Sequence, residues 1–187
     1  RRILEIVTVV ARFIFGESLI SVVERVELPV HDESLSGIRV VLLSDFHYNG
    51  PDHVLRCVRT ELLEDVVKKT NERSPDVIIL AGDYIEYDGK DSGALASGWL
   101  ARLRSRIGVF AISGNHDTKG PGAKEMVIEA LRGVGVRFLE NESVRPLPNL
   151  EVVGIGDYLT PGDFKPQDAM PRLKDSNHYR ILVSHHP

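Results

Sequence analysis

Three things are scarce in this sequence: cysteine, surplus basic charge and long uncharged apolar runs. Its only cysteine, Cys57, excludes a disulfide framework. Cys57 lies in a helical pattern, where a small buried apolar side chain is the simplest interpretation, and a single thiol is compatible with a reducing compartment. The 27 Asp and Glu residues outnumber the 23 Lys and Arg residues, which gives a net charge of −4. That balance argues against a general nucleic-acid-binding surface, so no stable nucleic-acid partner is expected.

The most apolar segment, residues 1–20, is interrupted by charged residues, and residues 6–11 are its longest stretch without one. A transmembrane helix needs about 20 predominantly apolar residues, so this segment is not predicted to span a membrane. Two interpretations are open: an amphipathic helix docked on the rest of the protein, or an interfacial helix with Arg1, Arg2 and Arg12 near lipid headgroups. The predicted location is cytoplasmic, with peripheral attachment to the inner face of the membrane as the second option.

The length of 187 residues suits one domain with a sizeable core. The sequence contains no internal repeat and no low-complexity tract. We therefore predict that residues 21–187 form one domain, preceded by the apolar amphipathic segment at residues 1–20.

Helical patterns alternate with strand-like apolar runs between residues 21 and 133. Such alternation is typical of an α/β protein whose strands run parallel. The last of these helices is bracketed by Pro121 at its start and Gly133 at its end. The predicted strands are 21–30, 38–43, 77–81 and 107–112, and the predicted helices are about 52–73, 94–103 and 121–133.

The pattern changes after residue 133. Short strand-like runs follow without room for helices between them, so these runs are predicted to pair antiparallel. Parallel strands first and antiparallel strands later are compatible with two packed sheets flanked by helices. Residues 157–175, which contain several prolines, are predicted to form a long functional loop. The short runs are 136–139, 143–145 and 150–155.

Polar clusters follow the apolar strands, at the edge where open α/β sheets place their ligand sites. A single polar residue there often only caps the next helix, but here a cluster recurs at four strand ends. Carboxylate, imidazole and amide groups are ligands of divalent metals, and two metals about 4 Å apart need a carboxylate that bridges them. The clusters are Ser44-Asp45-Phe46-His47, Gly82-Asp83, Gly114-Asn115-His116-Asp117 and Ser184-His185-His186. The candidate metal ligands are Asp45, His47, Asp83, Asn115 and His185.

In this order the clusters resemble the motifs of the calcineurin-like metallophosphoesterase superfamily. That pattern runs D-x-H, G-D, G-N-H-D/E, a single H and finally G-H-x-H, and the first four blocks are present here. The resemblance implies an α/β fold, an αββα sandwich of two mixed β-sheets flanked by helices, over residues 38–187. The final block is absent, so we expect the domain to be incomplete at its carboxyl end and each metal to lack one imidazole ligand.

The resemblance also implies a role for each motif residue. Two divalent metal ions, Mn, Fe or Zn, would be bound, with Asp83 bridging them and a metal-held hydroxide attacking a phosphate ester or pyrophosphate. His116 would act as the general acid, and Asp117 would orient its ring. His185 matches the lone histidine of the family pattern, whereas His186 falls in a variable position. A binding scaffold that keeps this fold without turnover is the alternative function.

Some features resemble the membrane-associated branch of the superfamily, in which some members cleave the pyrophosphate of UDP-2,3-diacylglucosamine. These features are the apolar amino-terminal segment and the blocks Gly82-Asp83-Tyr84 and Ser184-His185-His186-Pro187. A lipid-linked substrate is therefore one option, and nucleotides and phosphoproteins are others. Three histidines outside the motifs, His31, His53 and His178, are predicted to be surface residues.

Overall fold

The computed structural model describes residues 3–14, 18–50, 60–169 and 178–186. The strands in this part of the chain are β1 (Ile3–Ile14), β2 (Ser18–Pro29), β3 (Arg39–Leu43), β4 (Val77–Leu80), β5 (Gly108–Ala111), β6 (Arg137–Phe138), β7 (Glu142–Leu147), β8 (Leu150–Gly154) and β9 (Tyr179–Val183). The α-helices are α1 (Thr60–Glu72), α2 (Ser92–Gly98), α3 (Ala123–Gly133) and α4 (Pro166–Ala169). The strands form two mixed sheets, with the orders β2-β1-β3-β4-β5-β6 and β7-β8-β9.

The first sheet is covered on both faces, which explains why its central strands are mostly apolar. Every residue of β4 is buried, and β3 and β5 run parallel to it on either side. Helices α1 and α3 cover one face with residues such as Leu63 and Val127. The second sheet covers the other face with residues such as Leu150 and Val152.

The outer face of the second sheet carries the short helix α4. Its Ala169 packs against Val153 and Ile155, which follow one another along β8 and the loop after it. Helices, two mixed sheets and a further helix therefore lie in successive layers. This arrangement confirms the predicted α/β fold, an αββα sandwich of two mixed sheets flanked by helices.

The helix predicted at the amino terminus is wrong, because that segment forms β1 and the beginning of β2. β1 pairs antiparallel with β2 along its whole length and parallel with β3 at residues 5–8. Isoleucine and valine dominate the segment, and their β-branched side chains suit a strand. The predicted boundary at residue 20 falls inside β2. Among the described helices, none combines the length and the apolar character that crossing a bilayer requires.

The second half of the chain also differs in part from the prediction. β7 and β8 form the expected antiparallel pair, but β6 extends the first sheet parallel to β5, and β9 runs parallel to β8. Helix α3 begins at Ala123, so Pro121 precedes the helix instead of occupying its first turn. Cys57 and the start of the helix predicted from about residue 52 lie outside the described residues.

Candidate metal centre

Four loops meet where strands of the two sheets end. They follow β3, β4 and β5 in the first sheet and β9 in the second. Because parallel strands end at a common edge, polar side chains that are far apart in the sequence converge there. The predicted site residues that the structure brings together are Asp45, His47, Asp83, His116 and His185.

Three of these residues have left-handed backbone conformations, which side chains other than glycine rarely adopt. The φ angles are 59° at Asp45, 44° at His47 and 55° at Asp83. Hydrogen bonds between the loops hold this shape: the Asp45 amide donates to the Gly82 carbonyl at 3.0 Å, and the His47 amide donates to the Asp83 carbonyl at 2.9 Å. Such conformations cost free energy and concentrate at functional sites.

Two glycines allow the loops after β4 and β5 to pack backbone against backbone. A Cβ atom on Gly82 would lie 2.5 Å from the Gly114 nitrogen, and a Cβ on Gly114 would overlap an Asp83 carboxylate oxygen. Gly82 also has a φ of 96°. A side chain at either position would therefore push Asp83 away from the cluster.

One group of candidate ligands consists of Asp45, Asp83 and His185, whose ligand atoms all lie within 4.8 Å of one another. The Nε2 atom of His185 is 3.3 Å from Asp83 Oδ2. Its Nδ1 atom is 2.8 Å from the Ala81 carbonyl oxygen. A histidine whose Nδ1–H is held by a backbone carbonyl presents its Nε2 lone pair in the other direction, as metal-binding histidines do.

The second group consists of His47, Asp83 and His116. The Nε2 atom of His47 lies 3.5 Å from Asp83 Oδ2 and 3.6 Å from Asp45 Oδ1, between the two carboxylates. Asp83 belongs to both groups. Its buried carboxylate, only 3% exposed, therefore has the shared position that a bridging ligand requires.

Glu86, which was not among the predicted site residues, lies behind both histidines of the second group. Its Oε2 atom is 2.8 Å from Nδ1 of His47 and 3.2 Å from Nδ1 of His116. The main-chain carbonyl oxygen of Glu86 also lies 3.2 Å from Nδ1 of His116. An acceptor beside Nδ1 favours the tautomer in which the Nε2 atom of the imidazole is free to face a metal. The sequence signal for Glu86 was weak: an acidic residue shortly after Asp83 in the same loop.

His116 stands edge-on to His47, with ring centroids 4.5 Å apart and an angle of 86° between the rings. The Lys119 ammonium group lies 2.7 Å from Nε2 of His116. A ring nitrogen of His116 lies close enough to His47 and Asp83 to complete a metal site. The geometry thus admits His116 either as a ligand or, as predicted, as a group that faces the substrate.

Asp117 does not orient His116, so that prediction is wrong. Its side chain is fully buried, and its Oδ2 atom accepts hydrogen bonds from the amides of Asp83 at 2.9 Å and Gly114 at 2.8 Å. Its Oδ1 atom accepts from the Tyr84 amide at 2.8 Å. Asp117 therefore fastens the loop after β4 to the loop after β5.

The surroundings of Asp117 also change its acidity. Burial raises its pKa to about 7, and the nearby charge of Asp83 acts in the same direction. The amide hydrogen bonds oppose this rise because they favour the ionised carboxylate.

Carboxylates and imidazoles stabilise one another's charges at the candidate metal centre. Contact with His47 holds the pKa of Asp45 below its usual value against the effect of burial, and the same contact raises the pKa of His47. Burial opposes ionisation of Asp83, yet hydrogen bonds from His185 and from the His116 amide hold its pKa low. Burial also opposes the charge on His185, but its contact with Asp83 raises the pKa of His185 to about 9.

Asn115 lies in the loop after β5, immediately before His116, whose amide donates to Asp83 Oδ1 at 2.8 Å. It begins a short 3₁₀ turn, His116–Thr118, but its side chain accepts no hydrogen bond from that turn. Its role as an amide ligand stays a prediction.

Asp157 and His186 extend the polar region beyond the predicted ligands. Asp157 follows β8, is 1% exposed, and lies with Oδ1 2.8 Å from Nδ1 of His186. The His186 ring is perpendicular to the His185 ring, with centroids 4.7 Å apart. Asp157 was not among the predicted site residues, although it too follows an apolar strand, as the residues of the other clusters do.

Of the other histidines, His31 is exposed as predicted, and His53 lies outside the described residues. His178 contradicts the prediction, because its side chain is only 7% exposed and its Nε2 atom is 2.9 Å from Glu151. Sequence spacing could not reveal this partner, since Glu151 lies on β8, the strand that β9 pairs with.

A cavity of about 500 Å³ lies beside His186. Its apolar lining includes Tyr158, Phe164 and Leu182, which are large exposed hydrophobic residues. The Tyr158 and Phe164 rings pack edge to face with centroids 5.4 Å apart. The full lining is Ile155, Tyr158, Phe164, Leu182, Ser184 and His186.

Sequence comparison identifies several relatives of the chain. It is 30% identical over 167 residues to phosphodiesterase YaeI of Escherichia coli strain K12, an alignment that covers 87% of this chain and 58% of YaeI. It is 34% identical over 122 residues to a zebrafish (Danio rerio) transmembrane protein with a metallophosphoesterase domain, covering 64% of this chain and 26% of that protein. It is 33% identical over 92 residues to the UDP-2,3-diacylglucosamine pyrophosphatase LpxG of Chlamydia muridarum. That alignment covers 48% of this chain and 26% of LpxG.

The chain thus spans a little over half the length of YaeI and about a quarter of the other two relatives. The sequence model of the calcineurin-like phosphoesterase family matches residues 38–187. This is the same range over which the motifs resemble that family. The loops that carry Asp45, Asp83, His116 and His185 all fall inside this match. The chain belongs to the calcineurin-like phosphoesterase family.

Proposed function

We propose that this chain is a metal-dependent phosphohydrolase that cleaves a phosphate ester or a pyrophosphate. The observation that carries the proposal is the shared carboxylate of Asp83, which belongs to both groups of candidate ligands. A single carboxylate between two sets of donors suits a pair of ions that act on one substrate.

The donor set fits Mn, Fe or Zn. Asp45 and His185 would hold one ion with Asp83, and His47 would hold the other with Asp83 and the Asn115 amide. Such a mixture of oxygen and imidazole nitrogen suits transition metals better than calcium, which prefers oxygen ligands alone. When bound, such ions supply a hydroxide at neutral pH and polarise the phosphoryl oxygens.

The remaining chemistry falls to side chains of the protein. We assign His116 to protonation of the leaving oxygen, with its Nδ1 atom 3.2 Å from both the carboxylate and the main-chain carbonyl oxygen of Glu86. Lys119, 2.7 Å from Nε2 of His116, offers a positive charge to an anionic substrate at the same place. Glu86 also holds His47, so one carboxylate would orient both a ligand and the general acid.

We further propose a substrate that carries an apolar group, with a lipid-linked phosphoester or pyrophosphate as the preferred class. The cavity of about 500 Å³ beside His186 supports this class, because it is lined by exposed apolar side chains such as Leu182. The relative LpxG is named for a diacylated substrate. We expect the protein to hydrolyse UDP-2,3-diacylglucosamine faster than UDP-N-acetylglucosamine. Leu182→Ser should reduce this preference. Equal turnover of both would contradict this substrate class.

We also propose peripheral contact with an anionic membrane surface through the amino-terminal hairpin. β1 and β2 pair with each other up to residues 14 and 18, whereas β1 pairs with β3 only up to residue 8, so the hairpin extends past the sheet. Residues 9–23 are mostly apolar in sequence, with Arg12 and Glu17 as the charged residues among them. Sedimentation with phosphatidylserine vesicles tests the proposal: the protein should bind, and Arg12→Glu should weaken binding. No sedimentation of the unaltered protein would contradict it.

The experiment that tests the central proposal is metal reconstitution. Protein stripped with a chelator is reloaded with Mn²⁺ and assayed for bound metal and for hydrolysis of bis-p-nitrophenyl phosphate. We expect both to return together. Metal binding without hydrolysis of any phosphate ester or pyrophosphate would instead favour a binding scaffold, and no metal binding would contradict the ligand assignment.

A further inference from the structure

Asp157 is a buried carboxylate that belongs to neither group of candidate ligands. Both of its oxygens have partners: Oδ1 is 2.8 Å from Nδ1 of His186, and Oδ2 accepts a hydrogen bond from the Thr160 hydroxyl at 2.6 Å. Its carboxylate is therefore committed to two fixed directions in the protein. One of these leads to the segment after β9, which carries His185 and His186.

The other direction leads to the loop after β5. The Thr160 hydroxyl oxygen is 3.0 Å from the Thr118 hydroxyl oxygen, and the Thr118 hydroxyl lies 2.9 Å from the Asn115 carbonyl, to which it can donate. Each hydroxyl has one proton, and that of Thr160 is directed to Asp157. The Thr118 proton can then point either to Asn115 or to Thr160, so the link between the loops forms in one of its two hydroxyl rotamers.

We infer that Asp157 is a positioning residue that fixes the loop after β5 relative to the segment after β9. These two segments leave different sheets, so no shared strand pairing sets the distance between them. Asp157 and Thr160 join them through His186 on one side and Thr118 on the other. The inference rests on the proposed function only where it concerns metal binding and turnover.

Metal binding depends on that distance because the two segments carry different parts of the site. The loop after β5 carries Asn115 and His116, and the segment after β9 carries His185. The His186 ring packs perpendicular to the His185 ring at 4.7 Å, so holding His186 at Nδ1 also restricts the ring beside it. Loss of an outer hydrogen-bond partner of this kind commonly weakens metal affinity about 10–100-fold.

A purely structural role for Asp157 is the competing explanation, and Glu151 supplies the control. Glu151 is likewise 1% exposed and lies on β8, the strand that ends just before Asp157, but its partners are Ser143, His178 and Arg180. If Asp157 only stabilised the fold, Asp157→Asn and Glu151→Gln would have the same kinds of effect.

The first measurement is hydrogen–deuterium exchange of the metal-free protein. We expect Asp157→Asn to raise exchange in both residues 114–118 and residues 184–186, and Glu151→Gln to leave these two segments unchanged relative to the rest of the protein. A rise confined to one segment, or the same rise in both variants, would overturn the inference. This measurement does not depend on activity, so it separates the inference from the proposed function.

The second measurement is Mn²⁺ affinity, followed by electron paramagnetic resonance, together with kcat and KM. Thr160→Val should weaken Mn²⁺ binding about 10-fold or more and lower kcat more than it changes KM, whereas Thr160→Ser should retain the unaltered values because it keeps the hydroxyl. The Thr160→Val and Thr160→Ser variants also test the inference if Asp157→Asn fails to fold. Equal affinities for Thr160→Val and Thr160→Ser would contradict the positioning role, and failure of the unaltered protein to bind Mn²⁺ would contradict the proposed function instead.

Discussion

Two regions of this protein are built around a buried carboxylate flanked by histidine, and they differ in what the partners do. At Glu151 the partners donate to the carboxylate: Arg180 Nε lies at 2.6 Å, His178 Nε2 at 2.9 Å and the Ser143 hydroxyl at 3.0 Å. Burial opposes ionisation, but these contacts lower the pKa of Glu151 to about 2. The permanent charge of Arg180 completes this cluster, so it needs no ion. The partner set at Asp83 is different.

At Asp83 the histidines are held from behind. Nδ1 of His185 faces the Ala81 carbonyl and Nδ1 of His47 faces Glu86, so both Nε2 atoms point towards the same carboxylate oxygen. In the part of the chain that the structure describes, neither Lys nor Arg forms an ion pair with Asp83.

A histidine beside an acid is therefore insufficient to identify a metal site. What distinguishes the two regions is the direction of the imidazoles and whether a permanent cation already pairs with the acid. Substitutions at the two carboxylates and at the residues around them test that distinction.

Asp83→Asn should abolish metal retention and lower kcat/KM by about 10³-fold or more, because it removes a charge that both groups share and several kcal/mol of transition-state stabilisation with it. The matched control is Asp88→Asn. Asp88 also has a left-handed backbone, with φ 48°, but its carboxylate is paired with exposed Lys90. Metal analysis and steady-state kinetics on both variants decide the matter, and similar losses in the two would refute the special position of Asp83.

His116→Ala should lower kcat by about 10²–10⁴-fold on a substrate with a poor leaving group, the range of general acid catalysis. The loss should be smaller on p-nitrophenyl esters, whose leaving group needs little protonation. Metal content should stay unchanged. A parallel fall in bound metal would show that His116 belongs among the ligands, as its distance from His47 and Asp83 also permits.

The convergence of these residues could be predicted because each one follows an apolar run that becomes a strand. Asp83 after β4 and His185 after β9 are examples: the strand is visible as a hydrophobic stretch, and the edge of the sheet places what comes next. Two mixed sheets with helices on the outside could be anticipated for the same reason.

Other features depend on contacts that no local pattern reveals. Residues 3–14 have an apolar sequence compatible with helix or strand, and pairing with β3 decides for the strand. Glu86 is one acidic residue among many in the sequence, and only the fold places it behind two imidazoles. His178 looked like a surface residue because its partner, Glu151, is distant in sequence and adjacent only across a strand pair.

Glu86→Ala should lower kcat/KM about 10–100-fold, the usual effect of losing a residue that orients a ligand. Glu86→Gln should lose less, because its amide oxygen can still accept a hydrogen bond from one of the two Nδ1 atoms. Kinetics with saturating Mn²⁺ check the order of the three proteins. Thermal unfolding serves as the folding control, and equal activity of Glu86→Gln and Glu86→Ala would speak against an orienting hydrogen bond.

Glu151→Gln should have the smallest effect on catalysis and a clear effect on stability. We expect kcat and metal content to stay within about twofold of the unaltered protein, while the free energy of unfolding falls by about 2–4 kcal/mol because Arg180 and His178 lose a charged partner. The control is Glu142→Gln, an exposed residue in the same sheet, which should change stability little. A large loss of activity in Glu151→Gln without a loss of stability would contradict the proposed difference between Glu151 and Asp83.

The stability effect of Glu151 should also depend on pH with a definite sign. The pKa of Glu151 is about 2 in the folded protein against an ordinary value of 4.5, so its stabilising contribution is complete above about pH 4.5 and is lost as the pH falls towards 2. Protonated Glu151 then resembles glutamine. Urea unfolding of the unaltered protein and of Glu151→Gln should therefore give a difference that is constant from pH 7 to about pH 5 and shrinks below that. A difference that grows on acidification would mean that the ionised carboxylate of Glu151 destabilises the fold. It would contradict the view that Arg180 and His178 stabilise the charge of Glu151.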